Sequence, residues 1–418
     1  MTSRDRILAA FNHEKTDRIP VDFSGHRSSG IAALAYNRLR RYLRLDPVTP
    51  RVYDIVQQLA IVDDDILEVF DVDTIELGRG FLHDDKDWKD WILPDGTPCL
   101  IPNYISVRKL GEDWVIFSDE GQELGRQKKG CLYFEQSFFP MSGSTIIDDD
   151  FSNLEHILPR TLWTAAVHPG AHIDLDEAGL KELASGAQAL RSASDRAIIG
   201  IFGGNMFEVP QMLYGMENYL MFLKIFPEAV FRLSEKLCGI YLKQLELWLH
   251  AVGPHIDIIL FGDDLGGQSG PLISPEMYRR FFKPFHALLW RRAKQLADVK
   301  VMLHSCGSIR ELLPDLIEAG LDAINPVQIS ARGMDAEELK KEYGRNIVFW
   351  GGACDTQVIL PKASPESIKK HVTEQISFLH KDGGFVFQQV HNILADVPPE
   401  NIVAMFNSFL NSGVSNRS

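Results

Sequence analysis

Cysteine is scarce in this sequence, which limits how the fold can be held together. The 418 residues include five cysteines that are spread widely along the chain, Cys99, Cys131, Cys238, Cys306 and Cys354. A disulfide framework typically has an even number of cysteines at close spacings, so we expect reduced thiols here. Any of these thiols is then free to bind a metal or to take part in catalysis.

Runs of basic residues and long apolar runs are also missing. The formal net charge is −14 and no cluster of Lys and Arg opposes it, so a nucleic-acid partner is not expected. The N-terminal residues lack the apolar stretch of a signal peptide, and no window is apolar over the length needed to span a bilayer. These absences argue against a membrane partner and predict a cytoplasmic protein.

Short apolar runs that alternate with helical patterns dominate the second half of the chain. Six runs are predicted to be buried strands, at residues 197–204, 256–264, 299–306, 321–328, 346–354 and 383–392. The segments between them have helical spacing, and several open on Ser-Pro or Asp and close on Gly. Such alternation is typical of parallel strands with crossover helices, in either a doubly wound sheet or a (β/α)8 barrel.

Two observations favour the barrel. No Gly-x-Gly-x-x-Gly or Walker-type loop follows a strand, and "IPVDF" at 19–23 supplies an early candidate strand. The predicted fold class is therefore α/β, a (β/α)8 TIM barrel that forms a single domain over residues 1–418. Residues of about 80–150 have alternating patterns and Asp-Gly turns, which predict a β-rich insertion of antiparallel hairpins.

Polar side chains collect where the predicted strands end. In a barrel, the C-terminal ends of all strands meet on one face, where active sites are built. The polar strand-end residues are Asn205, Asp263, Asp264, His304, Cys306, Asn325, Gln328, Cys354, Asp355, His391 and Asn392. An apolar core needs none of them, so this face is the predicted site.

His304 and Cys306 are the clearest pair in this set. Residues i and i+2 of a strand share a face, and Gly307 allows the backbone to turn close by. An imidazole and a thiolate are ligands that zinc prefers, and a catalytic site needs a third protein ligand. His391 and Cys354, at the ends of the last two strands, are both candidates. The alternative is a buried thiol beside a hydrogen-bonded histidine, without a metal.

Several segments together resemble the uroporphyrinogen decarboxylase superfamily. They are "RILAAFNHEKTDRIPV", "GDDLGGQSGPLISPEMYRRFFKPFH", "HSCGSI", "INPVQ", "WGGACDTQ" and "HNILADVPPENIVAMF". They are most similar to its methyltransferase-like branch, which includes methylcobalamin:coenzyme M methyltransferases. The resemblance implies a (β/α)8 barrel, zinc bound by His304 and Cys306, and a corrinoid (methylcobalamin) carried by a separate partner protein.

The resemblance also implies a third ligand that is cysteine in that branch, but the matching position here falls at or next to His391. Two thiolates and one imidazole would leave zinc neutral, whereas one thiolate and two imidazoles would leave it with one positive charge. The positively charged zinc, with one thiolate and two imidazoles, suits activation of an oxygen or a methyl ether. If Cys354 were the third ligand instead of His391, the zinc would again be neutral. The expected activity is methyl transfer between a corrinoid protein and a thiol or a methoxy or hydroxy small molecule.

Two other activities stay open. A metal-free carboxy-lyase of the decarboxylase type, acting on a tetrapyrrole or another small carboxylated substrate, would use Asp263 or Asp264. True decarboxylases have an arginine-rich segment after the first strand, whereas "DFSGHRSSG" offers only Arg27 beside His26. A non-catalytic tetrapyrrole-binding protein is the second alternative.

The remaining polar residues receive binding or supporting roles. Asp263 and Asp264 are candidate catalytic residues, or supports of the metal ligands. The predicted substrate-binding residues are His26, Arg27, Asn205, Asn325, Gln328, Asp355 and Asn392. Helix capping or loop exposure is the competing explanation for several of them.

Overall fold

The computed structural model describes residues 1–147, 149–165 and 172–410. Residue 148 of the predicted insertion, and residues 166–171 and 411–418 of the predicted domain, lie outside the described residues. The strands are β1 (Val52–Asp54), β2 (Leu59–Ala60), β3 (Thr74–Glu76), β4 (Trp88–Ile92), β5 (Pro98–Pro102), β6 (Ser106–Leu110), β7 (Asp113–Phe117), β8 (Glu123–Gln127), β9 (Glu135–Gln136), β10 (Ala197–Gly203), β11 (Ile258–Gly262), β12 (Lys300–His304), β13 (Ala323–Asn325), β14 (Val348–Trp350) and β15 (Phe385–Val386). The α-helices are α1 (Ser3–Phe11), α2 (Ala33–Tyr42), α3 (Asp64–Val69), α4 (Leu154–Ile157), α5 (Leu162–Ala165), α6 (Glu177–Ala193), α7 (Glu208–Tyr214), α8 (Met216–Ile225), α9 (Pro227–Val252), α10 (Pro275–Phe281), α11 (Lys283–Leu296), α12 (Leu313–Glu318), α13 (Ala336–Tyr343), α14 (Ile359–Lys362), α15 (Pro365–Leu379) and α16 (Pro399–Leu410).

Seven strands form one curled parallel sheet, in the order β15-β14-β13-β12-β11-β10-β3. The segment 19–23 closes it: the Phe387 N–H donates to Pro20 O, the Asp22 N–H donates to Phe387 O, and the Asp73 N–H donates to Val21 O. Val21 therefore occupies the eighth position, between β15 and β3. The predicted (β/α)8 barrel and its six C-terminal strands are confirmed.

Strand β3 was not predicted, because its sequence carries two acids at or beside a very short apolar run. Asp73, which precedes β3, is fully buried and accepts bonds of 2.6 Å from both Arg6 and Arg18. These ion pairs make a buried acid tolerable at the start of a strand. They also fasten the N-terminal segment to the lower end of the barrel.

The barrel interior is filled by alternate strand residues. Ile258, Leu260 and Met302 belong to an inner apolar cluster, which Ile7 and Phe11 of α1 complete. The neighbouring residues on the same strands pack outward against the helices. Since α1 covers one end of this interior, the open end is the one at which the strands terminate.

Local sequence signals set the helix starts. The Ser274 and Ser364 hydroxyls accept from backbone N–H groups at the starts of α10 and α15, and each is followed by a proline. Asp335 caps α13 in the same way. The Ser-Pro and Asp signals read from the sequence mark these helix starts correctly.

Antiparallel hairpins lie between β3 and β10 of the barrel. Strands β4 and β5 form one hairpin, and β6, β7, β8 and β9 form a second antiparallel sheet. Leu100 of β5 forms a bridge with Arg51, the residue before β1. The organisation as one domain stays a prediction. Within the described ranges, no helix is both long enough and apolar enough to cross a membrane.

Candidate metal centre and substrate pocket

A pocket of about 350 Å³ opens where the barrel strands end. It is lined by the ends of β10, β11 and β12 and by loops that reach over them, and Asn205, Asp264, His304 and His391 contribute to its wall. Arg27 also lines this pocket. This is the face on which barrel enzymes build their active sites.

His304, Cys306 and His391 meet at this pocket. Their potential ligand atoms all lie within 4.8 Å of one another, and Cys306 Sγ is 3.4 Å from His304 Nε2. The two residues of the His-x-Cys pair share a face, as expected from strand alternation. Gly307 has φ +88°, and a Cβ there would overlap the backbone of Gly266, so the turn after Cys306 requires glycine.

Asn325 orients the imidazole of His304. Asn325 Oδ1 lies 2.7 Å from His304 Nδ1, while Asn325 Nδ2 donates to Gln388 Oε1 at 2.8 Å and to Trp350 O at 3.1 Å. Because both donors of the amide are engaged, its oxygen faces the histidine and accepts the Nδ1 proton. The lone pair of His304 Nε2 is then left to face Cys306, which is the usual arrangement around a metal-binding histidine.

Burial controls the charge of the three residues. It lowers the pKa of His391 to about 3 and also lowers the pKa of His304, so both imidazoles are neutral at physiological pH. Burial raises the pKa of Cys306 well above its usual range. The His391 ring makes no hydrogen bond to any residue that the structure describes. Its centre lies 5.6 Å from the centre of the His304 ring. Neutral imidazoles are zinc ligands, and a bound zinc ion would supply the positive charge that a Cys306 thiolate lacks here. The three side chains therefore fit a bound zinc ion.

Cys354 lies apart from this trio. Its side chain is buried, with Sγ 3.7 Å from Asp355 O, and burial raises the pKa of its thiol. It is not part of the group of ligand atoms that His304, Cys306 and His391 form. Of the two candidates for the third ligand, the geometry brings His391 to the pair.

The two neighbouring aspartates face different surroundings. Asp264 lines the pocket, accepts from the Cys306 N–H at 2.7 Å and lies 3.7 Å from His304 Nε2. Asp263 is fully buried, where it accepts from the Phe207 and Glu208 N–H groups and lies 3.0 Å from His286 Nε2. Asp264 can reach a ligand in the pocket, whereas Asp263 supports the start of α7.

The predicted substrate-binding residues divide in the same way. Arg27 and Asn205 line the pocket. His26 lies 3.2 Å from Asp22, and Gln328 accepts from the Gly307 N–H at 2.7 Å. These two residues therefore support the loops behind the pocket.

Asp355 and Asn392 are also supports. Asp355 Oδ1 accepts from the Val358 and Ile359 N–H groups at the start of α14. Asn392 accepts from the Gly30 N–H and donates to Gln57 Oε1 at 2.9 Å. Asn325, described above, acts on His304 from behind.

Sequence reasoning missed several residues of the pocket wall. Glu208, Gln57 and Trp163 all line it. Asn205 Nδ2 donates to Glu208 Oε2 at 2.7 Å, and burial, together with Asp264 and Asp263, raises the pKa of Glu208 well above its usual range. Glu208 follows the end of β10 by five residues, so the strand-end argument extended over the next turn would have found it.

Comparison with known proteins places these residues in a family context. The family model described as uroporphyrinogen decarboxylase (URO-D) matches residues 165–410, which include all three residues of the trio. A search of curated proteins finds no match. Among solved structures, a methyltransferase from Methanosarcina mazei is similar over 98% of both chains, with a TM-score of 0.56 and 14% sequence identity. At that identity the likeness is one of fold.

Proposed function

Because the chain belongs to the uroporphyrinogen decarboxylase family and carries a His-Cys-His cluster at its barrel mouth, we propose that it is a zinc-dependent methyltransferase. The observation that supports this most directly is the convergence of the ligand atoms of His304, Cys306 and His391 within 4.8 Å. The fold likeness to a methyltransferase from Methanosarcina mazei agrees with it.

The three residues would hold zinc, and the chain around them is arranged to support that task. Zinc would supply a Lewis acid that activates a thiol, or the oxygen of a methoxy or hydroxy small molecule. Asn325 holds His304 in the tautomer that a ligand needs, at 2.7 Å. Asp264 holds the Cys306 backbone in place through its N–H, also at 2.7 Å.

The methyl group would travel on a corrinoid carried by a separate protein. The sequence contains no Asp-x-His-x-x-Gly motif of a corrinoid-binding domain. A partner would need access to the barrel mouth, and the Asp264 side chain there is 39% exposed.

A metal-free carboxy-lyase acting on a tetrapyrrole fits the pocket less well. Such a substrate carries many carboxylates and needs several arginine forks. Among the described residues of the pocket wall, Arg27 is the one arginine, and its Nε lies 3.4 Å from Asp54 Oδ2. The pocket thus lacks the charge that this substrate class requires.

Metal analysis of the purified protein tests the proposed centre. We expect one zinc per chain by elemental analysis, with loss of zinc in His304→Ala, Cys306→Ala and His391→Ala. Cys354→Ala is the matched control, since it removes a buried thiol outside the cluster and should keep the metal. Absence of zinc, and no uptake after zinc is added, would refute the metal-dependent mechanism.

Methyl transfer is tested separately by absorption spectroscopy of the corrinoid. Zinc-loaded protein is mixed with methylcobalamin and 2-mercaptoethanol, or with cob(I)alamin and 2-methoxyethanol. We expect conversion of one corrinoid spectrum into the other in at least one mixture, and none with Cys306→Ala. Tetrapyrrole binding without conversion would instead support the non-catalytic alternative.

A further inference from the structure

Arg27 is the one permanent cation in the part of the pocket wall that the structure describes. Its Nε lies 3.4 Å from Asp54 Oδ2, and its guanidinium carbon lies 5.4 Å from the centre of the Trp163 ring. The Arg27 side chain is 19% exposed, whereas that of Asp54 is fully buried. The positive charge that faces the pocket is thus already paired with a carboxylate behind it.

Asp54 is held firmly in this position. Its Oδ1 accepts from the Gln57 N–H at 2.9 Å, and its Oδ2 accepts from Gln57 Nε2 at 3.0 Å. Gln57 Oε1 in turn accepts from Asn392 Nδ2 at 2.9 Å. Each member of this network has a hydrogen-bond partner, so the network favours the observed position of Asp54, and Gln57 has already committed its oxygen and one N–H.

The other charged groups of the pocket do not favour an anion. The carboxylate of Asp264 lines the same space as Arg27. Like charges a few ångströms apart repel strongly where water is excluded. An anionic group would meet Asp264 and find no unpaired cation among the described side chains of the wall.

An uncharged molecule meets none of these obstacles. Ile201, Leu260 and Phe261 supply an apolar wall. No hydrogen bond joins the Arg27 Nη groups to any described residue, so they can donate to a neutral oxygen. Pairing with Asp54 leaves Arg27 as a hydrogen-bond donor while it cancels the net charge.

We infer that Asp54 sets the charge specificity of the pocket, so that its small-molecule substrate is an uncharged thiol, ether or alcohol rather than an anionic one. This inference rests on the proposed function, because it names the class of the methyl donor or acceptor. Asp54 acts through Arg27 and is a positioning residue.

Equilibrium binding to the full-length protein as purified, measured by NMR titration, tests the inference with four probes. They are 2-mercaptoethanol and 2-mercaptoethanesulfonate, and 2-methoxyethanol and 2-methoxyethanesulfonate. Each pair shares its thiol or ether group, so contacts of that group cancel in the ratio of the two Kd values. We expect each uncharged probe to bind at least tenfold more tightly than its sulfonate partner.

Substitution at Asp54 should reverse this preference. In Asp54→Asn, the Arg27 charge is no longer cancelled, so we expect sulfonate affinity to rise at least tenfold and the affinity for uncharged probes to change little. The double variant Asp54→Asn/Arg27→Gln should lose that gain. Glu337→Gln is the matched control, because it removes one negative charge at an exposed position of α13. It should change none of the four Kd values.

The single variant Arg27→Gln keeps the test decisive if Asp54→Asn does not fold. We expect it to leave the weak sulfonate binding unchanged, whereas an anion-binding arginine would lose sulfonate at least tenfold on this substitution. Sulfonate binding as tight as that of the uncharged probes, or binding of none of the four, overturns the inference.

The corrinoid assay separates this result from the proposed function. Rapid methyl transfer to the sulfonate thiol would overturn the inference and leave the methyltransferase assignment standing. Failure of methyl transfer with all four probes, with the binding preference intact, would remove the methyltransferase assignment and keep the charge specificity of the pocket.

Discussion

Replacing Asn325 by alanine removes the group that orients His304. Asn325 is fully buried and its oxygen lies 2.7 Å from His304 Nδ1. Loss of such a partner typically lowers metal affinity by about 10- to 100-fold, which corresponds to about 1.4–2.8 kcal/mol. Trp350 O would also lose a donor, and Gln388 Oε1 would keep only its 3.3 Å contact with His26 Nε2. A buried acceptor that is left unsatisfied costs about 1–3 kcal/mol of stability.

Zinc affinity is measured by competition with a chromophoric chelator, and folding by thermal unfolding. Asn325→Asp keeps an acceptor for His304 while it removes the amide donors, so it should retain zinc affinity and lose stability. Asn401→Ala is the matched control, since Asn401 is also a buried asparagine, and its amide donates to Leu360 O and Ala363 O rather than to a residue of the site. A folded Asn325→Ala protein with native zinc affinity would refute the role of Asn325 in orienting the ligand.

Further predictions concern two buried acids, Glu76 and Asp263, and the buried thiol of Cys354. Burial raises the pKa of Glu76 from 4.5 to about 8, so the stability that its protonated form contributes is complete below about pH 4.5 and is lost as the pH rises to 8. Glu76→Gln should therefore flatten the fall of the unfolding free energy between about pH 5 and pH 8, by up to about 1.4 kcal/mol per pH unit, in urea titrations; an unchanged slope would contradict this. Asp263→Ala should lower stability by about 3–5 kcal/mol, because it leaves His286 and the start of α7 without their buried partner, and a melting temperature equal to that of the native protein would show otherwise. Cys354→Ala should cost about 1 kcal/mol of stability and leave the zinc content unchanged.

Strand ends were the predictable part of this molecule. A parallel strand reads as a short apolar run, and the polar residue that ends it must lie on the C-terminal face of the barrel. That argument placed Asn205, Asp264, His304 and His391 on the face where the pocket opens. It needed no knowledge of which strands are neighbours.

Alternation along a strand carries information that would have separated Asp263 from Asp264. Leu260 belongs to the inner cluster and Phe261 to the outer one. Because side chains alternate with a period of two, Asp264 continues the inner set and Asp263 the outer set. The same count from Met302 puts His304 and Cys306 on the inner side.

Asp54 and Gln57, which lie beside and behind Arg27, could not be found from strand ends or from alternation along the barrel strands. Asp54 lies in β1, and Gln57 lies in the turn that follows, outside the eight-strand alternation. Their apolar neighbours indicate burial but not a partner. The pairing of Asp54 with Arg27 depends on how β1 packs against the barrel, and no local pattern encodes that contact.

Two separate features of the site point to one class of substrate. At the metal end, one thiolate and two imidazoles would leave a divalent ion with one positive charge, which suits activation of an oxygen more than that of a thiol. At the Arg27 side chain, Asp54 cancels the positive charge at 3.4 Å, which disfavours an anion. The first feature comes from the histidine at position 391 and the second from Asp54 of β1, which is not a barrel strand. If His391→Cys shifted the substrate preference toward thiols while Asp54→Asn shifted it toward anions, the metal ligands and the Arg27–Asp54 pair would select the substrate independently. An uncharged methoxy or hydroxy compound would satisfy both.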